Sequence, residues 1–433
     1  MKSFFEAKKI VVVGASRDRS KVGNSIFRNL LKSGLNIFPV NPNADYVEGF
    51  KSYPDVLAIP FVVDLAVIAV KAEFVPDILE KCGKKEIKNV VIISAGFSEA
   101  GNFELSEKIR KIAEKFKIKI IGPNVLGIIN PYKNMNASFF REIPEKGNVA
   151  FISQSGALGT AILDKCLEEH LGISAFLSLG NMLQLDFTDA LDYLGNDIRT
   201  EVIALYVESL KENSGKDFIE ICKKFAGKKK IIVLKAGKSK EGQEAAKTHT
   251  ASLASDSRIY SGAFKQAGAI EINSLEEMFY LARIFSKLRL EKRACIVTNA
   301  GGLGVLAVDS LAKAGVEIVE IPEQILEQLD SFLPSGYSRR NPLDILGDAL
   351  AERYDKVLKI LNMYKAADFY IIIVSPQEMT QPLETASILK KYRNVFSCFV
   401  GGKSFLQARE LLRQEGIINF EDVSDLEILG KAI

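Results

Sequence analysis

Histidine is nearly absent from this chain, with two in 433 residues, and tryptophan is missing altogether. Five cysteines, Cys82, Cys166, Cys222, Cys295 and Cys398, stand singly with no paired ligand spacing. Neither a zinc site nor a disulfide framework is indicated, no metal ligands are assigned, and a reducing cytoplasm fits this usage best. Excess charge is lacking too: 57 basic residues face 54 acidic ones for a formal charge of +3. That balance, with no basic tract interleaved with aromatics, argues against a nucleic-acid binder. Long apolar runs are also missing. The stretch from Phe61 to Val70 is short and broken by Asp64, and Met1–Glu6 is not followed by a signal-peptide pattern, so no membrane association is expected.

Two phosphate signatures are absent as well. No Gly-x4-Gly-Lys-Ser/Thr pattern occurs, which agrees with a nucleoside triphosphate site lying elsewhere. The turn Gly14-Ala15-Ser16-Arg17-Asp18-Arg19-Ser20-Lys21-Val22-Gly23 lacks G-x-G-x-x-G spacing, and the following strand ends in Asn41-Pro42-Asn43, where an NAD site wants an acid for the ribose. Nicotinamide cofactors are disfavoured.

What is present repeats. Ile10–Val13 runs into Gly14-Ala15-Ser16, Val149–Ile152 into Ser153-Gln154-Ser155-Gly156, and Ala294–Val297 into Thr298-Asn299-Ala300-Gly301-Gly302. Each is a buried apolar run, then small residues, then helix-period sequence. Further apolar runs at 65–70, 90–93, 119–121, 202–207, 231–234, 369–374 and 395–400 alternate with amphipathic helices, the pattern of parallel sheets covered on both faces. We expect an α/β chain of three successive α/β domains, about the number its length suggests. The first is Rossmann-like over 1–130, and two flavodoxin-like domains follow over 146–288 and 292–433. Polar or Pro/Gly-rich connectors are expected at 130–147 and near 287–292.

Small residues at a strand-to-helix turn let backbone N–H groups approach an anion, where the helix dipole adds roughly half a positive charge. Two such turns could hold one phosphoryl group from opposite sides. His249, in Ala245-Ala246-Lys247-Thr248-His249-Thr250-Ala251, is the first candidate for nucleophilic chemistry, because neutral imidazole is abundant near pH 7. Pattern alone reads it equally as an ordinary loop histidine. His170, before Gly172, reads as the last turn of a helix, where a cation complements the dipole. Arg17, Arg19 and Lys21 suit a ligand with extra phosphate, or a plain solvated surface.

Six motifs then appear in order: Gly14-Ala15-Ser16, Phe38-Pro39-Val40-Asn41-Pro42, Ile121-Gly122-Pro123-Asn124-Val125-Leu126-Gly127, Ser153–Gly159, Thr248-His249-Thr250-Ala251, and Asn341–Ala349. Over nearly its whole length the chain resembles the alpha subunits of ADP-forming acetyl-CoA synthetases, the NDP-forming acyl-CoA ligases related to succinyl-CoA synthetase. The resemblance implies coenzyme A in the first domain, with Gly14, Ala15, Ser16 and Arg17 at its phosphates, Val40 and Asn41 beside its nucleotide, and Ser94, Ala95, Gly96 and Asn124 flanking the pantetheine. Relatives commonly carry lysine where this chain has Asn43, a departure that Arg17, Arg19 or Lys21 would have to offset. His249 becomes the phosphorylated histidine, Glu208 its acidic neighbour, and Ser153, Gln154, Ser155 and Gly156 with Asn299, Ala300, Gly301 and Gly302 the two phosphate-holding helix starts. The implied partner is an ATP-grasp beta subunit binding ADP or ATP with Mg2+, in an α2β2 assembly; acyl-CoA and phosphate are the small-molecule substrates. A succinyl-CoA synthetase alpha subunit is expected to end after the second domain, whereas a coenzyme A-binding regulatory protein would not need His249. The sequence leaves open which acyl group is carried and whether ADP or GDP accepts phosphate.

Overall fold

The computed structural model describes residues 1–244, 257–288 and 290–433; the His249 assignment falls outside them. Two compact units are present, Met1–Met278 and Phe279–Ile433. The first holds two sheets and the second holds one.

The first sheet contains β1 (Lys9–Val13), β2 (Asn36–Val40), β5 (Leu65–Ile68), β6 (Asn89–Ile92) and β7 (Lys119–Ile121), while β3 (Tyr46–Val47) and β4 (Phe50–Lys51) form a small separate hairpin. Its order is β2-β1-β5-β6-β7, all parallel. Continuous burial of Leu65–Ile68 shows why its strands read as unbroken apolar runs: helices cover both faces. The second sheet holds β8 (Gly127–Asn130), β9 (Met135–Ser138), β10 (Lys146–Ser153), β11 (Ile173–Ser178), β12 (Val202–Val207), β13 (Lys230–Lys235) and β14 (Ile270–Ile272), ordered β14-β13-β12-β10-β11-β8-β9. In the second unit β15 (Arg293–Thr298), β16 (Glu317–Ile318), β18 (Phe369–Val374), β19 (Val395–Phe399) and β20 (Asn419–Phe420) run in the order β16-β15-β18-β19-β20, and β17 (Leu343–Asp344) also pairs with β15.

One topology recurs. In each of the three large sheets the first parallel strand, β1, β10 or β15, lies between the second, β2, β11 or β16, and the third on the main hydrogen-bonded path, β5, β12 or β18. The strand order reverses there, and ligands of open α/β sheets bind beyond the strand ends at such a reversal. Each small-residue turn found in the sequence follows one of these three strands.

Several expectations are corrected. The stretch expected to be a connector at 130–147 supplies β9 and the start of β10; β8 extends the second sheet antiparallel to β11, and β9 pairs antiparallel with β8. Pro131–Lys133 and Asn134, at φ 50°, form the turn between them, so a hairpin's turn residues resembled a linker. The core has no break there: one apolar cluster runs from Phe4 through Ile128 and Met135 to Ala267. The two compact units divide inside the helix Leu275–Lys287. The Tyr280 ring lies 4.7 Å from Phe420 at a 48° tilt, and Arg283 and Lys287 each donate at 3.0 Å to the carbonyls of Ile417 and Gly416, which fixes that helix's second half to the third sheet. His170 is not in the last helical turn. It follows the helix Gly156–Glu168 at φ 48°, and Leu171 N–H reaches back 2.9 Å to Cys166 O, a Schellman stop. Gly172 answers a different need, since a Cβ there would lie 2.5 Å from Lys146 O.

Candidate functional site

At the first reversal Gly14 adopts φ +89°, and a Cβ on it would meet Ala69 O at 2.4 Å; a Cβ on Gly23 would meet Gly14 O at 2.0 Å. The two glycines let the helix Val22–Leu31 begin hard against β1. Val40 O accepts from Gly14 N–H at 2.9 Å, and Asn41 Nδ2 donates to Ala15 O at 2.7 Å, so the ends of β1 and β2 are tied together. Ser16 Oγ accepts from Asp18 N–H at 3.0 Å. The basic residues are not equivalent. Arg17 reaches Asn43 O at 3.4 Å, beside the position where relatives were expected to carry lysine, whereas Arg19 pairs with Glu48 at 3.3 Å. Hydrogen bonds from Asn24 and then Arg19 hold the Glu48 carboxyl below its ordinary range.

Between the strand ends of the first two sheets lies a cleft of about 910 Å³. It brings Ser94, Ala95 and Asn124 from the first sheet together with Gln154, Ser155, Gly156 and Glu208 from the second. Gly14, Ala15, Ser16, Arg17, Val40, Asn41, Gly96 and Ser153 do not line it; the first six form the turn at β1, and Asn299–Gly302 belong to the other unit. Ser94 Oγ donates to Val70 O at 2.6 Å, which joins β5 to the loop after β6. Asn124, at φ 62°, donates its N–H to Ser94 O at 2.9 Å. Gly180 must be glycine, because its Cβ would lie 2.3 Å from Pro123 O. Asn181, unnoticed in the sequence, bonds to both Glu99 and Ser98 and so pins the Ser94–Glu99 loop to the second sheet.

At the second reversal Ser155 caps the helix Gly156–Glu168, its Oγ accepting from Leu158 N–H at 3.3 Å. Ser153 Oγ donates to Ser155 O at 2.7 Å. Glu208 directly follows β12, and its N–H and that of Ser209 donate to Gln154 Oε1 at 2.9 and 3.0 Å. Beneath this loop sits Lys235, a buried cation whose Nζ donates to Glu208 O at 2.8 Å, bonds to Ala236 O and lies 4.6 Å from the centre of the Tyr260 ring. Burial holds the Lys235 ammonium below its usual range, opposed by Glu208. Burial pushes the Tyr206 phenol up to about 12, with the Glu208 carboxylate adding to it. Lys238 is anchored 2.8 Å from Glu271, and helix begins at Lys240.

At the third reversal Asn299 Oδ1 accepts from Ser375 N–H at 2.9 Å, and Ala300 opens the helix Gly301–Lys313 with no side-chain cap. A Cβ on Gly301 would fall 2.6 Å from Asp344 Oδ2, which puts a carboxylate beside that helix start. The Asn341 amide accepts from Ile296 N–H at 2.9 Å and donates to Ala294 O at 2.9 Å and Val319 O at 3.1 Å, feeding the segment into the sheet edge as β17.

Lys235, Ser209, Asn181, Glu99 and Asp344 were all missed from sequence. Only Lys235 carried a signal, a charge ending a run of buried apolar residues. Among the described residues no cluster of histidine, cysteine or acids could hold a metal ion, and no helix is long and apolar enough to cross a membrane.

Models of known families match most of the chain: a CoA binding domain over 8–131, a succinyl-CoA ligase-like flavodoxin domain over 146–285, and a ligase-CoA domain over 294–386. The chain is 41% identical to acetate–CoA ligase [ADP-forming] I of Archaeoglobus fulgidus, matching all of itself to 63% of that enzyme. It is also 41% identical to acetate–CoA ligase [ADP-forming] II subunit alpha of Pyrococcus furiosus, over 99% of this chain and 96% of that one. The structure of the dinucleotide-forming acetyl-coenzyme A synthetase 1 of Ca. Korarchaeum cryptofilum, in complex with phosphate and ADP, superposes with a TM-score of 0.93 at 34% identity, covering 100% of this chain and 95% of that one.

Proposed function

The chain belongs to the family of ADP-forming acyl-CoA ligases, and from that premise we propose that it is the alpha chain of an acetate–CoA ligase converting acyl-CoA, ADP and phosphate into acid, coenzyme A and ATP. Acetyl is the acyl group we assign. The observation that carries this reading is the cleft, which places the Ser94–Asn124 side of the CoA binding domain opposite a helix start and a carboxylate.

Coenzyme A suits the residues present: Arg17 and the open turn at Gly14–Ser16 offer cationic and N–H donors to its phosphates, Val40 and Asn41 border the nucleotide, and the cleft past Ser94, Ala95, Gly96 and Asn124 takes the pantetheine. It supplies the thioester. Backbone N–H groups at Ser155 and Gly156 orient inorganic phosphate, which attacks the acyl carbon as the thiolate leaves, giving an acyl phosphate. His249 then takes the phosphoryl group from it, releasing the acid. The role we assign to Glu208 is to accept from one ring nitrogen, which would fix the tautomer that leaves the other lone pair free and stabilise the cationic phosphohistidine. Asn299–Gly302 form a second phosphate-binding helix start. A separate ATP-grasp beta chain, in an α2β2 assembly, holds ADP with Mg2+ and receives the phosphoryl group; the name of the Pyrococcus relative, a subunit alpha, supports a partner chain. We place the enzyme in the cytoplasm, where its five buried cysteines remain thiols.

Mixing the chain with its beta partner, Mg2+ and γ-labelled ATP tests the carrier. Acid-labile, base-stable label on this chain is expected, and label that survives His249→Asn removes His249 from the mechanism.

A further inference from the structure

Gln154 lines the cleft, yet its side chain is committed elsewhere. It is 7% exposed. Its Oε1 accepts from the N–H groups of both Glu208 and Ser209, and its Nε2 donates to Ser209 Oγ at 3.2 Å. An amide oxygen has two acceptor positions, and both are filled by one loop. Gln154 N–H also donates to Tyr206 O at 3.2 Å, the residue two before Glu208. The residue that begins the anion-binding turn therefore grips the loop carrying the carboxylate at three backbone points and one hydroxyl.

The same joint recurs in the third sheet. Asn299 Oδ1 accepts from Ser375 N–H at 2.9 Å and Ser375 Oγ at 3.0 Å, while Nδ2 donates to Ser375 O at 3.3 Å and Gln377 Oε1 at 2.8 Å. Both amides sit one residue past the end of the first parallel strand, and both clamp the residue one past the end of the third, Glu208 or Ser375. The recurrence makes the joint a device of the fold. Only in the second sheet does the clamped position bear an acid.

We propose that Gln154 is a positioning residue rather than a phosphate ligand: it fixes the Glu208 carboxylate relative to the N–H groups of Ser155 and Gly156, across the strand-order reversal. This rests on the reading of Glu208 as the acid of phosphoryl transfer. Rigid support of a reacting group acts on turnover more than on binding of distant substrate parts.

A double-mutant cycle on the complete enzyme with its beta chain tests it, reading kcat, KM for coenzyme A and thermal midpoint for Gln154→Met, Glu208→Gln and the pair. Gln154→Met is expected to lower kcat by about 10-fold or more, with KM for coenzyme A within about two-fold. In the Glu208→Gln background the same change should have little further effect, because a residue acting through Glu208 has nothing left to position. Multiplicative losses in the pair, or a loss confined to KM, overturn the proposal. If Gln154→Met fails to fold, Ser209→Ala removes one arm of the clamp and carries the same cycle. Full turnover by Glu208→Gln would sink the acid itself, whereas a slow Glu208→Gln beside an unaffected Gln154→Met sinks only the positioning role.

Discussion

At Ser153–Gly159 a hydroxyl residue ends a first parallel strand and is followed by a side-chain amide and two glycines three apart; at Thr298–Gly304 the same residue types recur at the same four positions. The hydroxyls also act alike, Ser153 Oγ donating to Ser155 O and Thr298 Oγ1 to Ala300 O. The finish differs. The second-sheet helix is capped by its own Ser155 and faces Glu208 across the joint, while the third-sheet helix starts uncapped at Ala300 and has the Asp344 carboxylate beside Gly301. A carboxylate there already complements the helix dipole, so an incoming anion gains less at Gly301 than at Gly156. One framework thus supports two electrostatic settings: at the second sheet the acid sits on the neighbouring loop, and at the third it sits on the helix start itself.

The sharpest way to break the comparison is to exchange function for scaffold at the clamped positions. Glu208→Gln should lower turnover by roughly 100-fold or more with coenzyme A binding intact, while Ser375→Ala at the equivalent position should change it by no more than about two-fold. Equal losses, measured as initial rates of acyl-CoA formation, would mean that both loops carry chemistry.

Alkaline pH should act on both regions together. Burial pushes the thiols of Cys222 in the second sheet's layers and Cys295 in the third sheet up to about 12, along with the phenols of Tyr206 and Tyr370. The unfolded chain then loses these protons first. Stability is fully present below the ordinary thiol value of 9 and falls as pH rises from 9 toward 12. A urea midpoint that holds level from pH 8 to 10.5 contradicts this.

Smaller effects separate how closely each helix approaches its sheet. A Cβ on Gly159 would sit 2.6 Å from the buried Phe176 ring, whereas one on Gly304 would meet Thr298 Cγ2 at 3.1 Å and Pro342 Cβ at 3.2 Å. Gly159→Ala is expected to lose about 2 kcal/mol and Gly304→Ala under about 1 kcal/mol in denaturant unfolding. The reverse order would show that the third helix is the tighter one. The caps act on a similar small scale: Ser155→Ala should lose about 1 kcal/mol and Ala300→Ser should gain somewhat less, read from thermal midpoints.

The three strand-to-helix turns were legible because glycine and small polar residues follow an apolar run, and each turn lies at a strand-order reversal. Glu208 was legible only through family resemblance. Asn181 and Glu99 were not, since each acts through a partner 82 or more residues away, and no local pattern encodes such a pairing. The hairpin of β8 and β9 was legible in principle: Ile128, Ile129, Met135 and Ala137 are apolar and buried, but Asn130-Pro131 and Asn134 drew the reading toward a linker.

That hairpin also matters to anyone recombining these enzymes. Asn29, on the helix Val22–Leu31, donates to Ser138 O at 2.9 Å and Phe140 O at 2.7 Å, so the first domain grips β9 and its exit, while β8 is paired to β11 of the second. A crossover at Asn130 would split this pair between two parents and expose its apolar side to a foreign surface. The natural cassette for transplanting coenzyme A recognition ends past Phe140, and chimeras joined there inherit the seam intact.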